Sequence, residues 1–445
     1  MTALLYLVGQ FNDITWLTTF YSTLAALLLI FAIYSISILN RLVVIVLITI
    51  GTTIFFTEGA SLQTSIQGFG QNISLLALFV LIPLIGTFMS TAGYLSALKE
   101  KVIEREQYGG KHPYRLSYIL VATIGTLLNF GTLAIVKRIA DESFSSFKER
   151  KLMLHMMRAF AFCMLWSPYF VNVGLVLVLF DVSWFDIGLF GFIFALIYMG
   201  ISVVMLPRIS FKDDPNVNSP VKTKKFKQKK LSLIPFITFS TVLISFSLIL
   251  DYILEVNMLT VVSLTAVVLP LIWSVFFGLF KEFVQEVYGQ VLISFLKFKN
   301  ELAIFISAGY FGVAISLTDL GEVISAMLFT FSLGSVYLFT LFIIIITIFM
   351  AQIGVHPIII VIGIGSALSP QTFGVSSEYL ALTLLLAWTL ATQVSPFSGQ
   401  MLMVSQLIRT PAGTIAKQNA FFIFVCFLIL PFVLFIFHKL QLLTF

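Results

Sequence analysis

The sequence predicts an all-α polytopic membrane protein made of two inverted-topology repeats. Hydrophobic residues make up 59% of the 445 residues and charged residues only 10%, and the mean hydropathy is +1.05. A soluble domain could not bury that much apolar surface. A helix crosses the ~30 Å hydrocarbon core of a bilayer in roughly 20 residues. The chain contains about ten long apolar runs, enough for several crossings.

Polar segments interrupt the apolar runs at four places, two in each half of the chain. They are Asn129-Phe130-Gly131 and Trp166-Ser167-Pro168-Tyr169 (followed by Asn172) in the first half, and Gln352-Ile353-Gly354 and Val394-Ser395-Pro396-Phe397 (followed by Gln400) in the second. Broken helix is costly in a bilayer because no water pairs with its backbone, and it is kept mainly where it lines a site for polar cargo. The pattern therefore favours a secondary transporter.

The first repeat is predicted to occupy residues 1–206. It has three spans, an amphipathic arm, a re-entrant hairpin with its tip at Asn129, a broken helix and a closing span. The predicted ranges are scaffold spans within 15–97 (15–38, 42–58 and 73–97), the arm 99–116, the hairpin 117–147, the broken helix 152–181 and the closing span 184–206.

A lysine-rich linker at 207–231 separates this repeat from the second, which is predicted to occupy residues 232–445. The second repeat has the same order of elements. The predicted ranges are scaffold spans within 232–317 (232–250, 257–280 and 302–317), the arm 319–335, the hairpin 336–370, the broken helix 379–408 and the closing span 419–438.

The charge distribution predicts the orientation of these elements. If the linker 207–231 is cytoplasmic, crossing parity places every Lys and Arg except Lys439 on the inner side, and the outer loops carry acidic residues. The net charge of +6 is therefore explained by the positive-inside rule, and a nucleic-acid partner is not expected. Each half has an odd number of full crossings, so the halves are inverted. The expected location is the cytoplasmic membrane, with the linker in the cytoplasm.

This layout resembles the ion transporter superfamily, most nearly the divalent anion/sodium symporters, with the large permease subunits of tripartite periplasmic transporters as more distant relatives. The likeness covers nearly the whole chain in architecture, but in sequence only the four short segments. The symporters carry Thr-Pro-rich turns, which Ser167-Pro168 and Ser395-Pro396 fit, and Ser-Asn-Thr hairpin tips, from which Asn129-Phe130-Gly131-Thr132 and Gln352-Ile353-Gly354-Val355 depart. The resemblance implies an elevator-type carrier, a homodimer, whose site lies between two hairpin tips and two helix breaks.

The residues at the breaks offer the chemistry that such a site needs. Proline removes a backbone donor and frees polar groups at mid-membrane, and serine hydroxyls and side-chain amides can pair with them. Half-helix N-termini suit an anionic small-molecule substrate, and unwound carbonyls suit Na⁺. The predicted substrate- and ion-binding residues are Asn129, Gly131, Thr132, Ser167, Pro168, Asn172, Gln352, Gly354, His356, Ser395, Pro396, Ser398 and Gln400. Apart from Na⁺, no metal or cofactor is expected.

The absence of one residue type and the presence of two polar residues also bear on this hypothesis. No carboxylate falls in the middle of a predicted span, which favours Na⁺ over a proton as the coupling ion. His356 either titrates near neutral pH or packs at a helix start, and the second reading is favoured. Arg158 either attracts an anion inward or snorkels to the cytoplasmic face with His155, and snorkelling is favoured.

Two other classes of function compete with a carrier. A membrane-embedded enzyme is disfavoured because Phe397-Ser398-Gly399 has no histidine or lysine at a convincing partner position, and no paired intramembrane acids exist. A lipid or polyprenyl-phosphate flippase would need basic residues at an outer lateral opening, and the predicted outer loops have almost none. The predicted function is a non-enzymatic secondary transporter of a small anionic organic solute, with the flippase as the alternative.

Overall fold

A computed structural model of the chain describes residues 2–11, 15–107, 112–129, 131–217, 232–254 and 256–443. The described residues form helices almost throughout, with one short pair of strands. This confirms the predicted all-α class. It also means that residues 218–231 of the predicted linker, and Phe130 at the first hairpin tip, lie outside the described residues.

The first half contains twelve described helices. They are α1 (Thr2–Gly9), α2 (Thr15–Ser35), α3 (Ile38–Thr57), α4 (Leu62–Gly68), α5 (Ile73–Leu81), α6 (Pro83–Thr91), α7 (Tyr94–Gln107), α8 (Pro113–Leu128), α9 (Gly131–Ser143), α10 (Glu149–Met164), α11 (Val171–Phe180) and α12 (Trp184–Val204).

The second half contains ten described helices. They are α13 (Ile234–Ile253), α14 (Met258–Phe276), α15 (Phe280–Ile315), α16 (Leu320–Phe331), α17 (Val336–Gln352), α18 (Pro357–Gly365), α19 (Pro370–Phe373), α20 (Ser377–Val394), α21 (Gly399–Leu407) and α22 (Ala412–Lys439).

Eight of the helical segments within the described residues are long and apolar enough to cross a membrane, and a ninth forms if a bent pair is counted as one span. That pair joins the end of α15 to α16 with a bend of 93°. The chain is therefore a polytopic membrane protein. The bend turns α16 away from the axis of its span, the geometry expected of an arm.

The two halves pack in a reciprocal manner. The third span of each half lies against the second span of the other, because α15 packs on α3 and α5 packs on α14. Within each half, the first helix of the hairpin packs on the first part of the broken helix, α8 on α10 and α17 on α20. Equivalent helices thus have equivalent neighbours.

Inversion of the halves predicts that the two arms lie on opposite sides of the membrane. A cysteine replacing Asp319, which is exposed beside α16, should react with an impermeant thiol reagent only from outside the cell. A cysteine replacing the exposed Lys101 in α7 should react only from inside. The native Cys163 and Cys426 are buried, so single replacements can be compared directly. Reaction of both positions from the same side would contradict the inversion.

Two elements differ from their predicted ranges, and two further helices were not predicted. Helix α15 runs unbroken for 36 residues, whereas the sequence predicted a span only at 302–317 and an inner loop before it. The charged segment before that span contains no proline, so the helix extends beyond the apolar stretch. The predicted span 73–97 ends earlier, at Thr91, because Gly93 adopts a φ of 73° and ends the helix there. Helices α1 and α4 were not predicted.

The segment that follows α12 returns to the start of α10. Strand β1 (Phe147–Lys148) pairs antiparallel with strand β2 (Asn216–Val217), so residues predicted as free linker are bound. The Asp214 carboxylate accepts the backbone N–H groups of Arg150 at 2.8 Å and Lys151 at 3.1 Å. A carboxylate at a helix N-terminus is favourable because it pairs with free N–H groups and with the helix dipole.

Candidate functional site

The first helix break separates α10, which ends at Met164, from α11, which begins at Val171. Ser167 lies in this break and is fully buried. Its hydroxyl donates to the backbone oxygen of Thr126 in α8 at 3.1 Å and accepts the backbone N–H of Tyr169 at 3.3 Å. The serine therefore joins the broken helix to the first hairpin.

The second break, between α20 and α21, has the same construction. The buried Ser395 hydroxyl donates to the backbone oxygen of Ala351 in α17 at 2.6 Å and accepts the backbone N–H of Phe397 at 3.2 Å. The side-chain amide of Gln352 donates to the backbone oxygen of Val394 at 2.9 Å. Each hairpin is thus bonded to the break of its own half.

The bonding of these serines limits what they can offer a ligand. A serine hydroxyl has one donor and two acceptor lone pairs. In both breaks the donor and one lone pair are used within the protein, which leaves one lone pair on Ser167 and on Ser395. The side chains can therefore assist in binding a cation but not in donating to an anion. Pro168 is buried and Pro396 is half-buried directly after them.

The two broken helices touch at equivalent positions. Met164 precedes Ser167 by three residues, and Thr392 precedes Ser395 by three residues. The Thr392 hydroxyl lies 3.9 Å from the Met164 sulfur. Since equivalent residues of the two halves meet here, this contact marks the point where the two broken helices cross.

Asn172 and Gln400 also occupy equivalent positions, and both are buried. The Asn172 amide donates at 2.7 Å to the backbone oxygen of Met164, which the break leaves without a helical partner. The Gln400 amide crosses to the other half and donates at 2.8 Å to the backbone oxygen of Met157. Its own oxygen accepts a hydrogen bond from the amide of Gln393 at 2.6 Å. Gln400 therefore connects the two broken helices.

A buried polar chain continues from this point through Gln393 and Asn419, which were not predicted, to Arg158. Asn419 of α22 donates to the backbone oxygen of Gln393 at 2.9 Å and accepts from the Arg158 Nε at 2.9 Å. The prediction that Arg158 snorkels with His155 is wrong, because the two are only 2% and 1% exposed. The guanidinium instead stacks on Phe422, 3.9 Å from the ring centroid. The sequence signal that could have predicted this polar chain is the presence of two amide side chains, Gln393 and Asn419, within apolar runs.

The hairpin tips contain the backbone conformations expected of tight turns. Asn129, between α8 and α9, adopts a φ of 50°, and Gly354, between α17 and α18, adopts a φ of 94°. The Thr132 backbone N–H donates to the backbone oxygen of Asn129 at 3.1 Å. The Thr132 hydroxyl is buried and has no partner among the described residues. Gly131, the first residue of α9, is exposed.

Two predicted binding residues serve as helix caps. His356 caps α18, and its Nδ1 accepts the backbone N–H of Ile358 at 3.2 Å, which agrees with the favoured reading of a structural helix start. Ser398 caps α21 by accepting the backbone N–H of Met401 at 3.2 Å, and its hydroxyl donates to the backbone oxygen of Thr392 at 2.7 Å. Both side chains stabilise the helix starts beside the second hairpin and the second break.

A cavity of about 550 Å³ lies between the first hairpin and the scaffold helices α5, α6 and α15, with α7 at its side. Asn129 and Gly131 of the hairpin tip line it. The other polar residues in its wall are Thr87, Ser90, Ser96, Lys99, Arg138 and Gln290. Lys99 and Arg138 both donate to Glu142, which holds the pKa of that carboxyl below its ordinary value, through Lys99 foremost. Lys99 and Arg138 thus share one carboxylate, while Lys137, on the same helix as Arg138, pairs with the carboxylates of Asp141 and Glu149.

The structure does not bring the second hairpin tip into this cavity. Gln352 lines a separate crevice of about 420 Å³ between α17 and α22, with apolar neighbours such as Phe349 and Phe424. Of the thirteen predicted binding residues, only Asn129 and Gly131 face the cavity. Those at the breaks are mostly buried around the crossing of the two broken helices.

The two hairpins differ in how they meet the scaffold. In the second half, α18 packs directly on α15, so closely that a Cβ at Gly312 would lie 3.3 Å from the Ser366 hydroxyl. In the first half, the cavity separates much of α9 from α6. The two halves pack alike elsewhere, but they differ here. The second hairpin packs against the scaffold, whereas a cavity separates the first hairpin from it.

No protein-family model matches the chain, and no curated protein matches it. Among solved structures, the chain is similar to the Alcanivorax borkumensis YdaH transporter, whose crystal structure is described as revealing an unusual topology. The match has a TM-score of 0.59 and covers 85% of this chain and 88% of that one, at 12% sequence identity. The chain therefore has the fold of a known membrane transporter.

Proposed function

We propose that the chain is a secondary active transporter that moves a small anionic organic solute across the cytoplasmic membrane by an elevator-type, alternating-access mechanism coupled to Na⁺. The observation that carries the proposal is the unequal packing of the two hairpins. A carrier built from inverted halves opens to one side of the membrane at a time, so its two halves must adopt different conformations in each state. Here the second hairpin is sealed against α15 and the first faces a cavity of about 550 Å³.

The chemistry of the cavity supports an anionic cargo. The N-terminus of α9 begins at its wall, and a helix N-terminus carries about +0.5 elementary charge. Lys99 and Arg138 add positive charge farther along the same wall. The Asn129 side chain offers both a donor and an acceptor at the tip. An anion that enters past these cations reaches the N-terminus of α9 and the Asn129 side chain at the tip.

The chemistry of the breaks supports a cation as the coupling ion. The free lone pairs of Ser167 and Ser395 and the unwound backbone carbonyls are oxygen ligands of the kind that Na⁺ takes. In the proposed carrier, the cation stabilises the breaks and the hairpins that are bonded to them. The proposal includes a homodimer, in which the scaffold helices of two copies anchor one another, and a cytoplasmic location for the linker 207–231.

Sided labelling of the first hairpin tip tests the proposal. A cysteine replacing Gly131 lies in the cavity wall, and its Cβ would meet no atom within 4 Å. We expect an impermeant thiol reagent to modify it from the cytoplasmic side only. Adding Na⁺ together with an anion that raises the melting temperature of the purified protein should slow the reaction.

The control is a cysteine replacing Gly312 in α15, at the contact with the second hairpin, where a Cβ would lie 3.3 Å from the Ser366 hydroxyl. Because α18 packs on the scaffold, this position should remain unmodified from the cytoplasmic side. Equal reaction of the two positions would mean that the thiol reagent reaches both hairpins equally well from the cytoplasmic side. Failure of every anion tested to be taken up by proteoliposomes would contradict anion transport itself.

A further inference from the structure

Arg158 is a buried cation without an acidic partner among the described residues. It lies in α10, is 2% exposed, and makes one side-chain hydrogen bond, from Nε to the amide oxygen of Asn419. Its Nη1 has no hydrogen-bond partner within the described part of the chain. None of the ion pairs found among those residues includes it. A charge removed from water requires compensation, and here the protein supplies only a neutral amide and an aromatic face.

Two tyrosine hydroxyls beside Arg158 are also buried without partners. Tyr198 of α12 meets the Phe422 ring edge-on at 4.9 Å, and the same ring carries the Arg158 guanidinium. Tyr118 of α8 packs on the ring of His155 at 4.8 Å, one helical turn before Arg158. Both hydroxyls lack a partner within the described residues. Because α10 packs on both α8 and α12, three groups with unused donors lie on neighbouring helices.

The remaining polar groups of this region are not carboxylates. His155 Nδ1 shares a hydrogen bond of 3.4 Å with the Ser202 hydroxyl. The Cys426 thiol of α22 is also close to Arg158 and is a free, buried cysteine. A guanidinium can only donate, and a phenol that has no acceptor nearby can donate as well. An anion beside the guanidinium would balance its charge and offer an acceptor to the unpaired tyrosine hydroxyls.

We propose that Arg158, Tyr118 and Tyr198 form a buried binding site for a small monovalent inorganic anion such as chloride. The site lies between α8, α10, α12 and α22, and none of its three residues lines the cavity at the first hairpin tip. Arg158 Nη1 and both tyrosine hydroxyls are buried, which favours a monatomic ion over an organic carboxylate. The bound anion holds together helices from both halves of the chain, whatever solute the protein transports.

Thermal unfolding of the purified protein at constant ionic strength tests this site. Chloride is exchanged stepwise for gluconate, and the melting temperature of the wild type should rise with chloride and then saturate. The Arg158→Gln variant should show no dependence on chloride. The Tyr198→Phe and Tyr118→Phe variants should each need roughly tenfold more chloride for half-saturation, because each loses a hydrogen bond to a charged partner. The matched control is Lys101→Gln, which removes an exposed cation and should behave as the wild type.

Either of two results would overturn the site: a wild-type melting temperature that does not depend on chloride, or an equal dependence in the wild type and in Arg158→Gln. If Arg158→Gln does not fold, the tyrosine variants decide the question, and half-saturation unchanged in both would reject the assignment. Because the readout is stability in the absence of a transported solute, these outcomes are independent of the proposed transport.

Discussion

Replacing Gly191 by alanine is expected to destabilise the protein more than any other single-methyl addition considered for α12. Gly191 crosses the first helix break so closely that a Cβ would lie 2.3 Å from the backbone oxygen of Leu165 and 3.3 Å from the Cα of Trp166. Both contacts are with backbone, which cannot rotate away. The indole N–H of Trp184 donates to the backbone oxygen of Trp166 at 2.8 Å and further fixes this approach. Overpacking of this kind costs about 1–3 kcal/mol and sometimes more.

The melting temperature of the purified variant measures this effect, and the same helix provides its control. Gly200 also lies in α12, but a Cβ there would meet no atom within 4 Å. Gly200→Ala should therefore leave the melting temperature unchanged or raise it slightly, since alanine favours helix by up to about 1 kcal/mol. Equal melting temperatures for the two variants would show that α12 does not approach the break as described.

Replacing Gln400 by alanine is expected to weaken the connection between the two broken helices. The Gln400 side chain is 1% exposed and is bonded at both ends, to the backbone oxygen of Met157 and to the amide of Gln393. Alanine would remove both bonds and leave the Gln393 amide buried without its acceptor. An unsatisfied buried polar group costs about 1–3 kcal/mol. We expect a lower melting temperature and, in the proposed carrier, weaker binding of Na⁺ at the breaks.

Gln406 provides the matched control for this substitution, because it lies on the same helix, α21, but is exposed. Gln406→Ala should change neither the melting temperature nor the response to Na⁺. A Gln400→Ala variant that melts like Gln406→Ala would remove Gln400 as a connection between the halves. A variant that is destabilised but keeps its Na⁺ response would limit Gln400 to a structural role.

The positions of the four interruptions could be predicted from sequence because their causes are local. Pro168 and Pro396 lack a backbone N–H and favour a break, although Pro270 and Pro431 lie inside the continuous helices α14 and α22. Asn129 and Gly354 are residue types that tolerate a positive φ. The serine before each proline was predicted to pair with freed backbone groups. The particular carbonyls that it meets, those of Thr126 and Ala351, belong to the hairpins and depend on how the helices pack.

The burial of Arg158 could not be predicted from its own surroundings in the sequence. An arginine within reach of the predicted inner boundary is usually solvated by snorkelling. What overrides this tendency is Asn419, which lies 261 residues away in the chain and reaches Arg158 from α22. For the same reason the sequence did not separate the environments of the two hairpin tips. Asn129 and Gln352 are similar amides at similar positions, and only the tertiary packing places one in a polar cavity and the other in an apolar crevice.

The pairing of β1 with β2 has a mechanical consequence. Phe147 opposite Val217 and Lys148 opposite Asn216 close the intervening chain into a loop with a hydrogen-bonded neck. Helices α10, α11 and α12 lie within that loop, so its two ends enter and leave at one point. The ends of the segment therefore cannot separate unless the hydrogen bonds of the neck are broken.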